Sequence, residues 1–93
     1  MKTSPRSQKL AGVVKQALSP LLQQFTNPEK VGFLTIVQVE VSGDLGVVDV
    51  WIQSLNGPKN FLSKLHPLAG RITRELMKQI KVRRAFILRF KEL

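Results

Sequence analysis

Six cations fall within one short stretch: Arg71, Arg74, Lys78, Lys81, Arg83 and Arg84. On a helix that turns about 100° per residue, Arg71, Arg74, Lys78 and Lys81 share a stripe narrower than roughly 100°. Guanidinium and ammonium groups at that spacing suit a phosphate backbone. Each phosphate they neutralise releases condensed counterions, which drives binding. Arg83 and Arg84 carry the row into the next loop. Only Glu75 stands among them, so local ion pairs relieve little of their repulsion. A merely solvated helix face is the plain alternative. Gly70 immediately precedes the row. It lets a helix break, because glycine adopts left-handed conformations cheaply. It also lets a nucleic-acid backbone come close, with the amides of the following helix free for phosphate.

The residues suited to other chemistry are sparse and unsupported. His66 is the only histidine and there is no cysteine, so no second soft ligand exists to share a metal. The acids are Glu29, Glu40, Asp44, Asp49, Glu75 and Glu92. Glu40 and Asp49 can oppose each other across a hairpin, but no base or leaving-group cradle accompanies them. No phosphate-binding loop, dinucleotide fingerprint or nucleophile elbow occurs. The expectation is a chain with no catalytic residue, no metal site and no cofactor. Trp51 can stack on a base or lie half-covered on a strand.

These residues need a scaffold, and the chain has 93 residues to build one. That fits one domain, residues 1–93. The apolar share is 43%, enough for one core without disulfides. Net charge is +9, unevenly spread. Residues 1–30 carry +4, residues 31–60 carry −2 and residues 61–93 carry +7. A polyanion is the expected partner, and nucleic acid is the commonest one. No apolar run approaches the roughly 18 residues that span a bilayer, and no targeting segment is visible at the N-terminus.

Periodicity supplies the elements. Residues 1–7 read as a loose tail. Residues 8–25 place Leu10, Val13, Val14, Ala17, Leu18, Leu21, Leu22 and Phe25 at helical spacing, with a kink or restart expected at Ser19-Pro20. Asn27-Pro28 ends that helix. Residues 32–41 alternate as a strand, Phe33, Thr35, Val37, Val39 and Val41 facing one way and Leu34, Ile36, Gln38 and Glu40 the other. A Ser42–Gly46 turn, fixed by Ser42 and Asp44, leads to a second strand over 47–55. A helix begins near Phe61, and Pro67 and Gly70 interrupt it. A second helical piece covers 71–81, with Ile72, Leu76 and Ile80 inward. A third strand covers 85–91.

This order resembles the ribosome-binding factor A family. The residues that carry the likeness are Asn27-Pro28, the Val39-Glu40-Val41-Ser42-Gly43-Asp44-Leu45 block, Asp49-Val50-Trp51-Ile52, Gly70-Arg71-Ile72-Thr73-Arg74-Glu75-Leu76, Val82-Arg83 and Leu88-Arg89-Phe90. The resemblance implies an α+β, type II KH-like fold, α-β-β-α-(kink)-α-β, with a three-stranded sheet backed by helices. The family's Ala-x-Gly kink falls on Leu68-Ala69-Gly70, where the glycine matches and the first alanine does not. The resemblance further implies a factor, not an enzyme, that binds the small ribosomal subunit and its RNA and assists late maturation of the 30S particle. It implies a cytoplasmic location, or an organelle compartment with bacterial-type ribosomes. The RNA-contacting residues expected on both grounds are Ala69, Gly70, Arg71, Arg74, Lys78, Lys81, Arg83 and Arg84, with Arg6 and Lys9 adding phosphate contacts. A monomer is expected. The competing reading is a protein-interaction module, or another KH-type nucleic-acid binder, in which the charge serves solubility.

Overall fold

Val14, Leu18, Leu21 and Leu22 recur at three- and four-residue steps, and all four are buried along one side of helix α1, Pro5–Phe25. A computed structural model describes residues 5–80 and 85–93. Two sequence expectations change here. The helix already begins at Pro5, so residues 5–7 form its first turn instead of a tail. Ser7 is buried there, and its hydroxyl donates to the Ser42 carbonyl at 3.4 Å. The helix also runs unbroken through Pro20. Pro20 lies on the exposed side and costs one backbone bond, while the apolar residues on either side of it keep helical phase. Ser19 is no N-cap. Its hydroxyl donates back to the Lys15 carbonyl at 3.0 Å.

Asn27-Pro28 does more than end α1. Asn27 Oδ1 accepts from the Glu29 amide at 3.0 Å and caps a one-turn helix α2, Pro28–Val31. Gly32 closes it with φ +78°, and there only glycine fits. A Cβ at Gly32 would collide with Ser54 Oγ and with the Gly57 backbone. The Ser54 hydroxyl bonds the Val31 carbonyl at the same junction.

Strand β1, Phe33–Val41, pairs antiparallel with β2, Val47–Leu55. Its register shifts between Ile36 and Gln38, so Val37 is an extra residue, a β-bulge. The strict alternation expected for this strand therefore fails. Leu34 and Ile36 before the bulge share the core face with Val39 and Val41 after it. Phe33, Thr35, Gln38 and Glu40 face outward. The bulge lets both apolar sets reach one core; a regular strand would expose one of them. Leu45 at φ 62° completes the turn. Ser42 Oγ donates to Asp44 Oδ1 at 2.7 Å and accepts from the Val47 amide at 2.9 Å, as the structural reading of that turn requires.

Helix α3, Phe61–Gln79, is continuous. The break expected between Pro67 and Gly70 does not occur. Phe61, Leu65, Ile72 and Leu76 are all buried and keep one helical phase across the interruption. Burying them stabilises the helix by more than the roughly 3–4 kcal/mol that an internal proline and glycine cost together. The α3 chain then returns as β3, Ile87–Glu92, parallel to β2. The sheet order is β1-β2-β3. Both long helices lie on one face, over Ile36, Val41, Val48, Val50, Ile52 and Phe90. Among the described residues nothing covers the other face. Among the described residues no helix is long and apolar enough to cross a membrane.

Candidate nucleic-acid interface

The inner side of α3 fixes its outer side. With Leu65, Ile72 and Leu76 fully buried against the sheet, Arg71, Arg74 and Lys78 must stand in solvent, and all three are exposed. Lys64 is exposed one heptad before Arg71, in line with Arg71 and Lys78. The sequence alone starts the row at Arg71, because Gly70 predicts a helix break. Continuity of α3 adds Lys64 and extends the row to about 21 Å, at 1.5 Å per residue.

The cations are lightly held. Lys78 Nζ lies 3.3 Å from Glu75 Oε1, an exposed pair three residues apart. Such pairs contribute about 0–1 kcal/mol and yield easily to a stronger anion. The Arg71 guanidinium sits 5.9 Å from the Phe25 ring centroid, at the end of α1. That contact leaves its N–H edge free while damping the motion of the side chain. Arg74 has no ion pair among the described residues.

Ala69 and Gly70 lie on the same helix, half-buried and exposed respectively. Gly70 keeps helical backbone, so its amide belongs to the helix ladder and is not left for phosphate. This corrects the expectation of a helix N-terminus there. What survives is open space: a Cβ at Gly70 would meet nothing within 4 Å. Thr73 Oγ1 donates to the Ala69 carbonyl at 2.7 Å, the back-bond that bends helices slightly. Lys81, Arg83 and Arg84 lie outside the described residues.

Arg6 and Lys9 are exposed on the first turns of α1. The Ser7–Ser42 bond places those turns beside the hairpin turn. The Ile87 amide, which donates to the Gly46 carbonyl at 2.8 Å, marks the same end of the sheet, where α3 also finishes. The structure thus gathers Arg71, Arg74 and Lys78 on one helix and brings Arg6 and Lys9 to the end where that helix stops.

The basic residues of β3 differ. Arg89 Nε and Nη2 hold Asp49 at 2.7 and 3.1 Å, and Lys91 Nζ reaches it at 3.6 Å. The bidentate Arg89 bond, more than its charge, holds the Asp49 carboxyl below its ordinary range. Glu40, opposite Asp49, accepts from Gln38 Nε2 at 2.7 Å. The two opposed acids are therefore part of the open sheet face and have no vacant cradle between them. His66 is an exposed residue of α3.

Comparison with known proteins agrees with this architecture. The family model described as ribosome-binding factor A matches residues 6–92. A ribosome-binding factor A of Desulfitobacterium hafniense is 34% identical over 83 residues, 86% of this chain and 66% of that protein. One from Aromatoleum aromaticum is 31% identical over 80 residues, 83% of this chain and 63% of the relative. The chain thus spans slightly under two thirds of the length of these relatives. The crystal structure of ribosome-binding factor A from Thermus thermophilus superposes with a TM-score of 0.81 at 24% identity, over 92% of this chain and 94% of that one. A homology model of the Thermus thermophilus factor, fitted into a cryo-EM map of a 30S complex, gives 0.76 at 25% identity, over 87% and 88%.

Proposed function

The chain belongs to the ribosome-binding factor A family, and from that premise we propose that it binds small-subunit ribosomal RNA through the outer ridge of α3 and assists late maturation of the 30S particle. One observation carries this reading: a helix whose buried side is locked to the sheet holds Lys64, Arg71, Arg74 and Lys78 outward in a row. Such a row recognises the backbone and shape of folded RNA and does little direct reading of bases. Arg6 and Lys9, with Lys81, Arg83 and Arg84, extend the same contact. The likeness to a factor fitted into a 30S complex supports the small subunit as partner. The work is binding, without catalysis or cofactor, in the compartment that houses the ribosomes, and the chain acts as a monomer.

The test is the triple variant R71A/R74A/K78A, titrated with structured small-subunit RNA over a range of salt. Each lost phosphate contact makes the logarithmic salt slope shallower by about 0.7–0.9. The expected change is roughly two units for the three substitutions. An unchanged slope, with the protein still sedimenting with free small subunits, would transfer the function to protein contacts and refute the ridge.

A further inference from the structure

The helices cover one side of the sheet only. On the other side, rows of side chains cross the three strands. Gln38, Trp51 and Lys91 form one row, and Glu40, Asp49 and Arg89 the next. Thr35 and Gln53 pair on the other side of the Trp51 row, and beyond them Phe33 faces Leu55, 59% and 65% exposed. We propose that this open face is a second nucleic-acid site, which takes a short single-stranded RNA segment with one base stacked on Trp51 and the adjoining phosphate on Arg89 and Lys91.

Several observations converge on that ligand. The central strand supplies a half-buried indole, whose ring is a stacking platform for any base. Lys91 Nζ lies over that ring, 5.0 Å from its centroid, with Arg89 one row away, so an incoming base takes the place of the ammonium, which moves to the adjoining phosphate. Asp49 pairs with both cations and Glu40 stands opposite it, so the two rows carry no net charge, and a phosphate gains Arg89 and Lys91 by exchanging with Asp49. The flanking groups Gln38, Gln53 and Thr35 are amides and a hydroxyl, which bond the edges of unpaired bases. Rows two residues apart lie about 7 Å from one another, close to the repeat of an extended nucleotide strand. Beside Gln53 the face deepens into an open cleft of about 600 Å³, lined in part by Thr35, Leu55, Pro58, Lys59 and Glu92, with room for a neighbouring base.

The inference rests on the RNA-binding reading but uses the opposite side of the molecule, so the two fail separately. Trp51 is the only tryptophan and the chain has no tyrosine, so its emission reports this face alone. The full chain is titrated with a single-stranded octanucleotide of mixed sequence and with a duplex of the same length. Quenching by the single strand, stronger than by the duplex and retained in R71A/R74A/K78A, is the expected result. In anisotropy measurements on labelled octanucleotide, Trp51→Leu weakens binding by roughly tenfold or more, and Trp51→Phe retains most of the affinity while abolishing the signal. Circular dichroism confirms that each variant is folded, and Arg89→Ala/Lys91→Ala gives a second loss should Trp51→Leu unfold. Unquenched emission at saturation, or undiminished affinity in both the Trp51 and the Arg89/Lys91 variants, overturns the proposal and leaves the ridge intact. A spectral shift with isolated small-subunit proteins but none with RNA also overturns it, in favour of protein docking.

Discussion

The ridge of α3 and the open face of the sheet carry the same kinds of cation in opposite states. On the ridge, Arg74 has no ion pair among the described residues and Lys78 shares only an exposed glutamate. On the sheet, Arg89 and Lys91 converge on one carboxylate, and Lys91 also lies over an indole. Net charge is therefore a poor guide: the ridge cations meet an anion directly, whereas Arg89 and Lys91 take one only in exchange for Asp49. The arrangement behind each one decides. A buried leucine and isoleucine stripe holds cations apart, whereas cross-strand pairing draws them onto Asp49.

The contrast can be broken most severely at its origin, the bulge that sorts side chains between the two faces. Deleting Val37 and Gln38 together removes the bulge and one paired residue, so that Ile36 falls opposite Trp51 and Leu34 and Ile36 leave the core face. Losing two such side chains removes about 3–6 kcal/mol, most of a small domain's stability. Circular dichroism should show a largely unfolded chain, and a cooperative native melt would refute the bulge. Next comes charge reversal on the ridge. R71E/R74E should lower affinity for structured RNA by more than about a hundredfold at physiological salt, while the melting curve stays within about 0.5 kcal/mol of the parent. Equal loss from reversing exposed Lys30, on the short helix α2, would show that charge alone and not its place on the ridge decides binding. A smaller effect is expected at Gly70. Since a Cβ meets open space there, Gly70→Ala should stabilise α3 by about 0.5–1 kcal/mol, seen as a raised denaturant midpoint. Weaker RNA binding in that stabilised variant would show that the ligand backbone passes over Gly70. The smallest effect concerns the clamp. The Arg89 hydrogen bond holds the Asp49 carboxyl below the ordinary aspartate value of 3.8, so the clamp's contribution is complete above that pH and is lost as the pH falls beneath it. Asp49→Asn should melt slightly earlier at pH 7, and its gap from the parent should close below about pH 3.8. A gap independent of pH would exclude the clamp as its cause.

Much of this was readable in the residues. The phase of Ile72 and Leu76 against Arg71, Arg74 and Lys78 fixes both sides of α3 before any coordinate is known. Ser42 and Asp44 announce their turn. Other features depend on contacts that periodicity does not encode. Both alternating sets of β1 are partly apolar, so nothing local shows that Val37 is skipped. Pro20, Pro67 and Gly70 are ordinary helix breakers, and only burial of their neighbours overrides them. Lys64 joins the row solely because that override holds. The pairing of Asp49 with Arg89 and Lys91 needs β3 beside β2, a long-range fact. Asn27-Pro28 carried a signal that was read too simply: asparagine then proline stops one helix and also starts another.

The parallel seam between β2 and β3 has a kinetic consequence. Val41 meets Val48 across a tight turn, a closure that takes microseconds. Ile52 meets Glu92 only after the entire α3 crossover has been threaded between them. During synthesis the hairpin therefore emerges first, with one backbone edge of β2 unsatisfied. The last strand seals that edge and closes the Asp49 clamp in the same event, making the clamp a late marker of completed folding.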